Sequence, residues 1–191
     1  MKLNLPSSKI YTGAFSILIV LAILLTVVPA VSAEGNGPLS AIPGLGRLPN
    51  PTLVLMHKKE GSWYNDQFDL IRKANLLSKT YQDLINAESK AGRNVSDLVD
   101  ALATFDAEVT ASTEIHNQAG AIIYSLIGWT VDGAVKDRLA AGQSLLDGRE
   151  ALRDSNFRLN NAMNILRKSF VTWRARRIHG IPLPPTITPT P

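Results

Sequence analysis

The sequence predicts an all-α protein: three long antiparallel helices in an elongated bundle or coiled-coil-like rod, with flexible Pro/Gly-rich ends. Three observations lead there. From Ser62 onward the chain is dominated by Ala, Leu, Asp, Asn and Arg, a helix-forming mixture. Apolar residues recur at steps of three and four that sum to heptads in three separate segments. Aromatic residues make up only 6 % of the chain, and β-branched runs are rare outside the N-terminal apolar stretch.

The first element reads as an export leader. Lys2 and Lys9 precede an apolar run from Ala14 to Val28, Pro29 interrupts it, and Val31-Ser32-Ala33 supplies small residues where a signal peptidase reads. Cleavage is expected between Ala33 and Glu34. The run is about fifteen residues, short of the roughly twenty that cross a bilayer comfortably, so residues 1–33 are assigned as a signal peptide. Retention as a membrane anchor through residues 14–28 is the alternative. The protein is expected to be exported and to act extracytoplasmically or as a secreted protein. There is no cysteine, which removes a lipidated cysteine, a disulfide framework, a thiolate metal site and a cysteine nucleophile together.

Residues 34–51 carry Gly35, Gly37, Pro38, Pro43, Gly44, Gly46, Pro49 and Pro51, a linker composition. Residues 52–179 form the predicted helical bundle domain. Residues 180–191, rich in proline and threonine, are expected to be a disordered tail.

In the first helix Trp63, Leu70, Ala74, Leu77, Tyr81 and Leu84 define the apolar face, widened by Phe68, Ile71 and Ile85. Gly92 ends it. Its start is open between Pro51 and the Gly61-Ser62 pair. The second helix is expected to take Asn94 as its N-cap, with Asp97 in its first turn and Gly128 at its end. Its seam reads Leu98, Leu102, Phe105, Val109, Ser112, His116, Ala119, Ile123 and Leu126. The third should run from about Val131 or Asp132 to Arg177, with Leu145, Leu152, Leu159, Leu166 and Trp173 at steps of seven. Between them fall the small residues Gly148, Ser155, Ala162 and Ser169, which let two backbones approach closely. The connections Ala91–Val95 and Trp129–Val131 are short enough to make neighbouring helices antiparallel.

Charge divides the helices. No Lys or Arg lies between Arg93 and Lys136, and Asp97, Asp100, Asp106, Glu108, Glu114 and Asp132 make the second helix acidic, whereas Arg149, Arg153, Arg158, Arg167, Lys168, Arg174, Arg176 and Arg177 against Glu150 and Asp154 make the third basic. Each face is the natural partner of the other. The net charge of +4 falls to +2 if Lys2 and Lys9 leave with the leader, so nucleic acid is not an expected partner.

The histidines His57, His116 and His179 do not converge on the helical spacing. A weak metal candidate is His116 completed by Asp66, Asp69 or Asp147; the preferred reading is a hydrogen-bonded seam histidine that, with Ser112, fixes helix register. Arg174, Arg176 and Arg177 beside Trp173 are a possible contact for an anionic membrane surface, set against offsetting the dipole of a last helical turn. Asn94-Val95-Ser96 matches a glycosylation acceptor and, equally, a helix cap. No catalytic constellation or phosphate-cradling loop is present, so neither an enzyme nor a cofactor is expected.

From Asn94 to Arg177 the chain resembles a group of uncharacterised exported bacterial Ala- and Arg-rich proteins of unknown function, predicted to form helical bundles. The residues that carry this are Asn94-Val95-Ser96-Asp97-Leu98-Val99-Asp100-Ala101-Leu102, the His116 segment, the turn from Gly128 to Asp137, and Arg149-Glu150-Ala151-Leu152-Arg153-Asp154 with Trp173-Arg174. The resemblance implies fold and export, and lends no activity. The expected function is an exported, non-enzymatic module that contacts another protein, the envelope or itself. The alternatives are a metal or small-ligand sensor centred on His116, or a membrane-associated protein held by an uncleaved leader.

Overall fold

The computed structural model describes residues 48–179, and all the helices described here lie within them. The expected leader, the Ala33–Glu34 cleavage point, most of the linker and the Pro/Thr tail fall outside these residues. Three helices pack on one another with no β-strand among the described residues: α1 (Asn50–Lys90), α2 (Ser96–Ile123) and α3 (Arg138–His179).

Helix α1 starts beside Pro51, which sits in the first turn where its missing N–H has no helical partner to lose. It then passes unbroken through Gly61-Ser62 for 41 residues. A helical glycine costs about 1 kcal/mol relative to alanine. Buried contacts on both sides of it, Leu53 and Glu60 before and Gln67 after, outweigh that cost. The helix closes at Gly92, where the Arg93 N–H donates back to the Glu88 carbonyl at 3.1 Å.

The α1 face is buried as expected from Ile71 to Ile85, and its heptad row continues toward the N-terminus through polar residues. Leu53, Glu60, Gln67, Ala74, Tyr81 and Glu88 are all buried and lie at steps of seven, with Ile71, Leu77, Leu84 and Ile85 alongside. Trp63 and Leu70 are only half-buried, and Phe68 is exposed. The polar members Glu60, Gln67 and Glu88 hold interhelix or cap partners, so they take seam positions that an apolar count passes over.

Asn94 is displaced by one residue from the expected cap. Val95 occupies the cap position, while Asn94 Oδ1 accepts the Ser96 N–H at 3.0 Å and the Ser96 hydroxyl at 2.8 Å, an Asx turn leading into α2. Asp97 lies in the first turn as expected. The seam from Leu98 through Ile123 is buried throughout, but α2 stops at Ile123 and Leu126 is exposed.

The connection to α3 is the largest departure from expectation. Instead of a short turn at Trp129–Val131, residues 124–137 form a closed loop. Trp129 and Val135 pair in an isolated antiparallel bridge, and the Lys136 and Asp137 N–H groups both donate to the Gly128 carbonyl. The Thr130 carbonyl accepts the Gly133 N–H, and its hydroxyl accepts the Ala134 N–H, each at 2.9 Å. Helix α3 therefore begins at Arg138 rather than Val131 or Asp132. Its cap is Asp137, whose Oδ1 accepts the N–H groups of Leu139 at 2.9 Å and Ala140 at 3.1 Å.

Leu145, Leu152, Leu159, Leu166 and Trp173 are buried along α3, and Gly148, Ser155 and Ala162 between them are buried too. Small residues bring α2 and α3 together. A Cβ on Gly148 would stand 2.8 Å from Ile123 Cγ1. The Ser112 hydroxyl donates to the Ser155 carbonyl at 2.8 Å, and the Ser155 hydroxyl donates to the Ser112 carbonyl at 2.9 Å. Along the pair, Asp97 meets Ser169 and Arg176, Glu108 meets Arg158, Ser112 meets Ser155 and Ile122 meets Ser144, so position rises on α2 as it falls on α3. Helix α1 lies across both, bonding to α3 in ascending order through Glu60–Arg149, Gln67–Leu152 and Tyr81–Ser169.

The acidic and basic faces meet as the charge pattern implies. Arg158 reaches Glu108 at 3.2 Å and Arg176 pairs with Asp97, contacts that contribute tenths of a kcal/mol to about 1 kcal/mol at exposed sites. Glu88 is different, because its carboxylate is buried and is held by Arg93 and by Arg177 at 3.5 Å. Removing either arginine weakens the neutralisation of a charge that has lost its water.

The loop predicts its own weak point. Gly128 has φ +81°, and a Cβ there would sit 2.1 Å from the Ala141 backbone nitrogen, whereas Gly133, at φ +78°, has nothing within 4 Å. Gly133→Ala should cost about 1 kcal/mol from backbone strain alone. Gly128→Ala should cost more than about 3 kcal/mol, since the start of α3 must move. Urea unfolding of the two variants measures the difference, and equal losses contradict the close approach of Gly128 to α3.

Candidate functional site

The first half of α1 places His57, Glu60, Tyr64 and Gln67 at steps of three and four, hence on one face. That face meets α2 at His116, Gly120 and Ile123, and α3 at Arg149 and Leu152. Gln67 is central to the arrangement. Its amide NH2 donates to the Leu152 carbonyl at 3.0 Å, which turns its Oε1 toward His116 Nδ1 at 3.1 Å. Nδ1 therefore carries the imidazole proton, and Nε2 keeps a lone pair that is buried with no hydrogen-bond partner.

The Tyr64 ring stacks on His116 at 4.0 Å between centroids, and Phe68 lies 6.1 Å away. Tyr64 fits because residue 120 is glycine: a Cβ there would come within 2.7 Å of Tyr64 Cε2. Burial holds His116 below its ordinary value of 6.5, so the ring is neutral at physiological pH. One turn back, Glu60 Oε1 accepts from Arg149 Nε at 3.0 Å while Oε2 is buried without a partner. Burial pushes the Glu60 carboxyl up, and the positive charges of Arg149 and Arg153 and the nearby His57 oppose that rise.

Toward the end of the bundle, His57 Nε2 donates to the Ile123 carbonyl at 2.8 Å and its ring stacks on Trp129 at 4.3 Å. Trp129 is buried with Leu53, Ala141 and Leu145, and its Nε1 has no hydrogen-bond partner. The row thus runs from the loop into the bundle as a set of bonds between helices. Its chemistry is that of positioning: His57 and Gln67 on α1 each donate to a backbone carbonyl of a neighbouring helix.

The residues singled out from sequence separate. His116 lies in this row and His57 at its outer end, while His179 is the last residue of α3. Asp66, Asp69 and Asp147 are exposed, with Asp69 paired to Arg72 and Asp147 accepting from Gln143. None of the three is drawn into a cluster with His116, and among the described residues no group of three or more histidine or acidic side chains could hold a metal ion. Of the three candidate surface arginines, Arg176 pairs with Asp97, and Arg177 lies near Glu88 and over the Trp173 ring at 5.4 Å. Arg174 is exposed.

Sequence reasoning missed Glu60, Tyr64, Gln67 and Trp129. For Glu60 and Gln67 the signal was present as a heptad-spaced polar continuation of the α1 stripe. It also missed the exposed apolar end beside them. Leu126, Ile127, Val131 and Leu139 have relative exposures of 59 %, 63 %, 89 % and 75 %, and Tyr124 is exposed with them. Other exposed apolar residues, such as Leu76, Phe157 and Val171, are spread along the helices, as on most proteins.

Comparison with protein-family models, with curated proteins and with solved structures finds no match for this chain. A functional reading therefore rests on the residues themselves.

The neutral histidine predicts a pH dependence. Its folded value lies below its unfolded one, so the unfolded chain takes up a proton first as pH falls below about 6.5, and stability drops in that range. Glu60 acts oppositely: its raised value favours the fold fully below about 4.5, and that benefit fades as pH rises through the folded value. The melting temperature should fall from pH 7.5 to 5.5, and His116→Phe, which retains an aromatic face for Tyr64, should flatten that slope. Circular dichroism melts across the range measure it; an unchanged slope in the variant removes His116 as the cause.

Proposed function

We propose that this chain is an exported, non-enzymatic helical module of the cell envelope or exterior that acts by presenting a surface, and that its working surface is the end formed by residues 124–139. The observation that carries this reading is the concentration of Leu126, Ile127, Val131 and Leu139 in solvent at one end of the bundle, whereas other exposed apolar residues are scattered along the helices. The polar groups inside support it, because Gln67, His57, Ser112 and Ser155 are engaged in bonds that hold helices together. Export rests on Lys2, Lys9, the Ala14–Val28 run and the Val31-Ser32-Ala33 site.

The test is site-resolved photo-crosslinking in producing cells, with a reactive residue placed at Ile127, Val131 or, as a control on exposed α1 surface, Lys79. Adducts should form from Ile127 and Val131 and not from Lys79, and N-terminal sequencing of exported protein should begin at Glu34. Equal labelling at all three positions, or none at the loop, contradicts this assignment of the surface.

A further inference from the structure

Resting on the reading of residues 124–139 as the working surface, we propose that the chain carries its own cover for it: residues 39–45 dock on Leu126, Ile127, Val131 and Leu139, and a partner must displace them.

The sequence of that segment suits the task. Leu39, Ile42, Leu45 and Leu48 recur at every third residue, between Pro38 and Pro49 and with Pro43 among them. A period of three is neither the 3.6 of an α-helix nor the 2 of a strand. It is the period of the extended backbone that proline favours, which sets such a row along one edge at intervals of about 9 Å.

The structure shows where this row begins. Leu48, its last member, packs against the cluster of Leu53, Trp129, Ala141 and Leu145. Two residues on, Asn50 Oδ1 accepts from Arg138 Nε at 3.1 Å, which ties the start of α1 to the first turn of α3 beside Leu139. The chain therefore enters the bundle at the apolar end itself. Leu45 is separated from Leu48 by at most about 11 Å of chain and Ile42 by about 22 Å. Ile127 and Val131 lie two residues to either side of Trp129, within that reach.

Charge favours this occupant over a charged one. Lys58, Lys59, Lys136 and Arg138 are exposed at this end together with Asp132 and Asp137, so the apolar centre has a rim of both signs. A partner of either sign meets like charges there. Residues 35–46 carry no charge, and the cation that follows them, Arg47, has Asp132 and Asp137 of opposite sign at the same end. Tethering makes the cover effective and removable. With Leu48 fixed beside the surface, the segment has the millimolar local concentration of a short linker, so a weak contact suffices. A partner then binds only in the uncovered fraction, and its apparent affinity falls by that fraction.

The chain has no cysteine, which allows a direct test in the full chain as cells produce it. Residues 39–45 follow Ala33, so they remain whether or not the leader is removed. Ile42→Cys/Val131→Cys should close to a disulfide within one chain under diamide. Ile42→Cys/Lys59→Cys should not, although Lys59 is exposed and only about 14 Å along α1 from Asn50. In the photo-crosslinking experiment, Ile42→Asn/Leu45→Asn should raise the yield of adducts with a second molecule at Ile127 and Val131 about three-fold or more. Matching thermal melts verify that the variants fold. No disulfide with Val131, an equal yield with Lys59, or a disulfide only between two chains overturns the cover, the last in favour of a second copy as occupant. An unchanged adduct yield in Ile42→Asn/Leu45→Asn overturns it too, and adducts that persist at Ile127 and Val131 then leave the working surface standing. If neither position forms adducts even in that variant, both readings fall.

Discussion

The close approach of α2 and α3 is the constraint on which the rest of the structure depends. It is made by what the two helices lack: Gly148 leaves space that Ile123 fills, and Ser112 and Ser155 are short enough to bond across the interface to each other's backbone. Each hydroxyl donates to a backbone carbonyl of the other helix, so two polar side chains are buried at little desolvation cost. A larger residue at either serine would push the backbones apart. The leucines and Trp173 at steps of seven on α3 then supply the apolar burial, of order 2 kcal/mol for each fully buried side chain.

Because α2 and α3 are fixed by each other, α1 can carry polar residues in its seam. Between Ile71 and Ile85 it meets them through apolar side chains, in a core that includes Tyr81, Phe105 and Leu166. Between His57 and Gln67 it meets them through directed bonds. Apolar contacts tolerate sliding along a helix, whereas Gln67 bridging the Leu152 carbonyl and His116 Nδ1 allows one register. The unpartnered His116 Nε2 and Glu60 Oε2 are the cost of this specificity.

The helices and the α2–α3 seam were legible in the sequence because a heptad of Leu, Ala, Ser and Gly requires no knowledge of the partner. The polar continuation of the α1 stripe was not. Glu60, Gln67 and Glu88 look like solvent-facing positions until Arg149, His116 and Arg93 are placed beside them, and those partners lie on other helices or beyond a turn. The 124–137 loop escaped for a related reason. Leu126 continues the α2 spacing and Val131 resembles a helix start, so periodicity carries through a region where Gly128, Thr130 and Gly133 impose a turn. Asp137 as the α3 cap carries a local signal, an acidic residue before a helical run, which only its competition with Asp132 obscured.

That loop also explains why Leu126, Ile127 and Val131 stand in water together at one end of the bundle. Inside the bundle His57, Gln67, Ser112 and Ser155 are spent on bonds between helices, and helix faces covered by one another leave little surface. A loop answers to fewer packing demands, yet this one is held by the Gly128 carbonyl, the Trp129–Val135 bridge and the stacking of Trp129 on His57. Leu126, Ile127 and Val131 are therefore displayed on a fixed frame. Aliphatic side chains exposed on a disordered loop could fold back and bury themselves. Those on a closed loop cannot, and the apolar surface they keep in water is free energy available to whatever covers it.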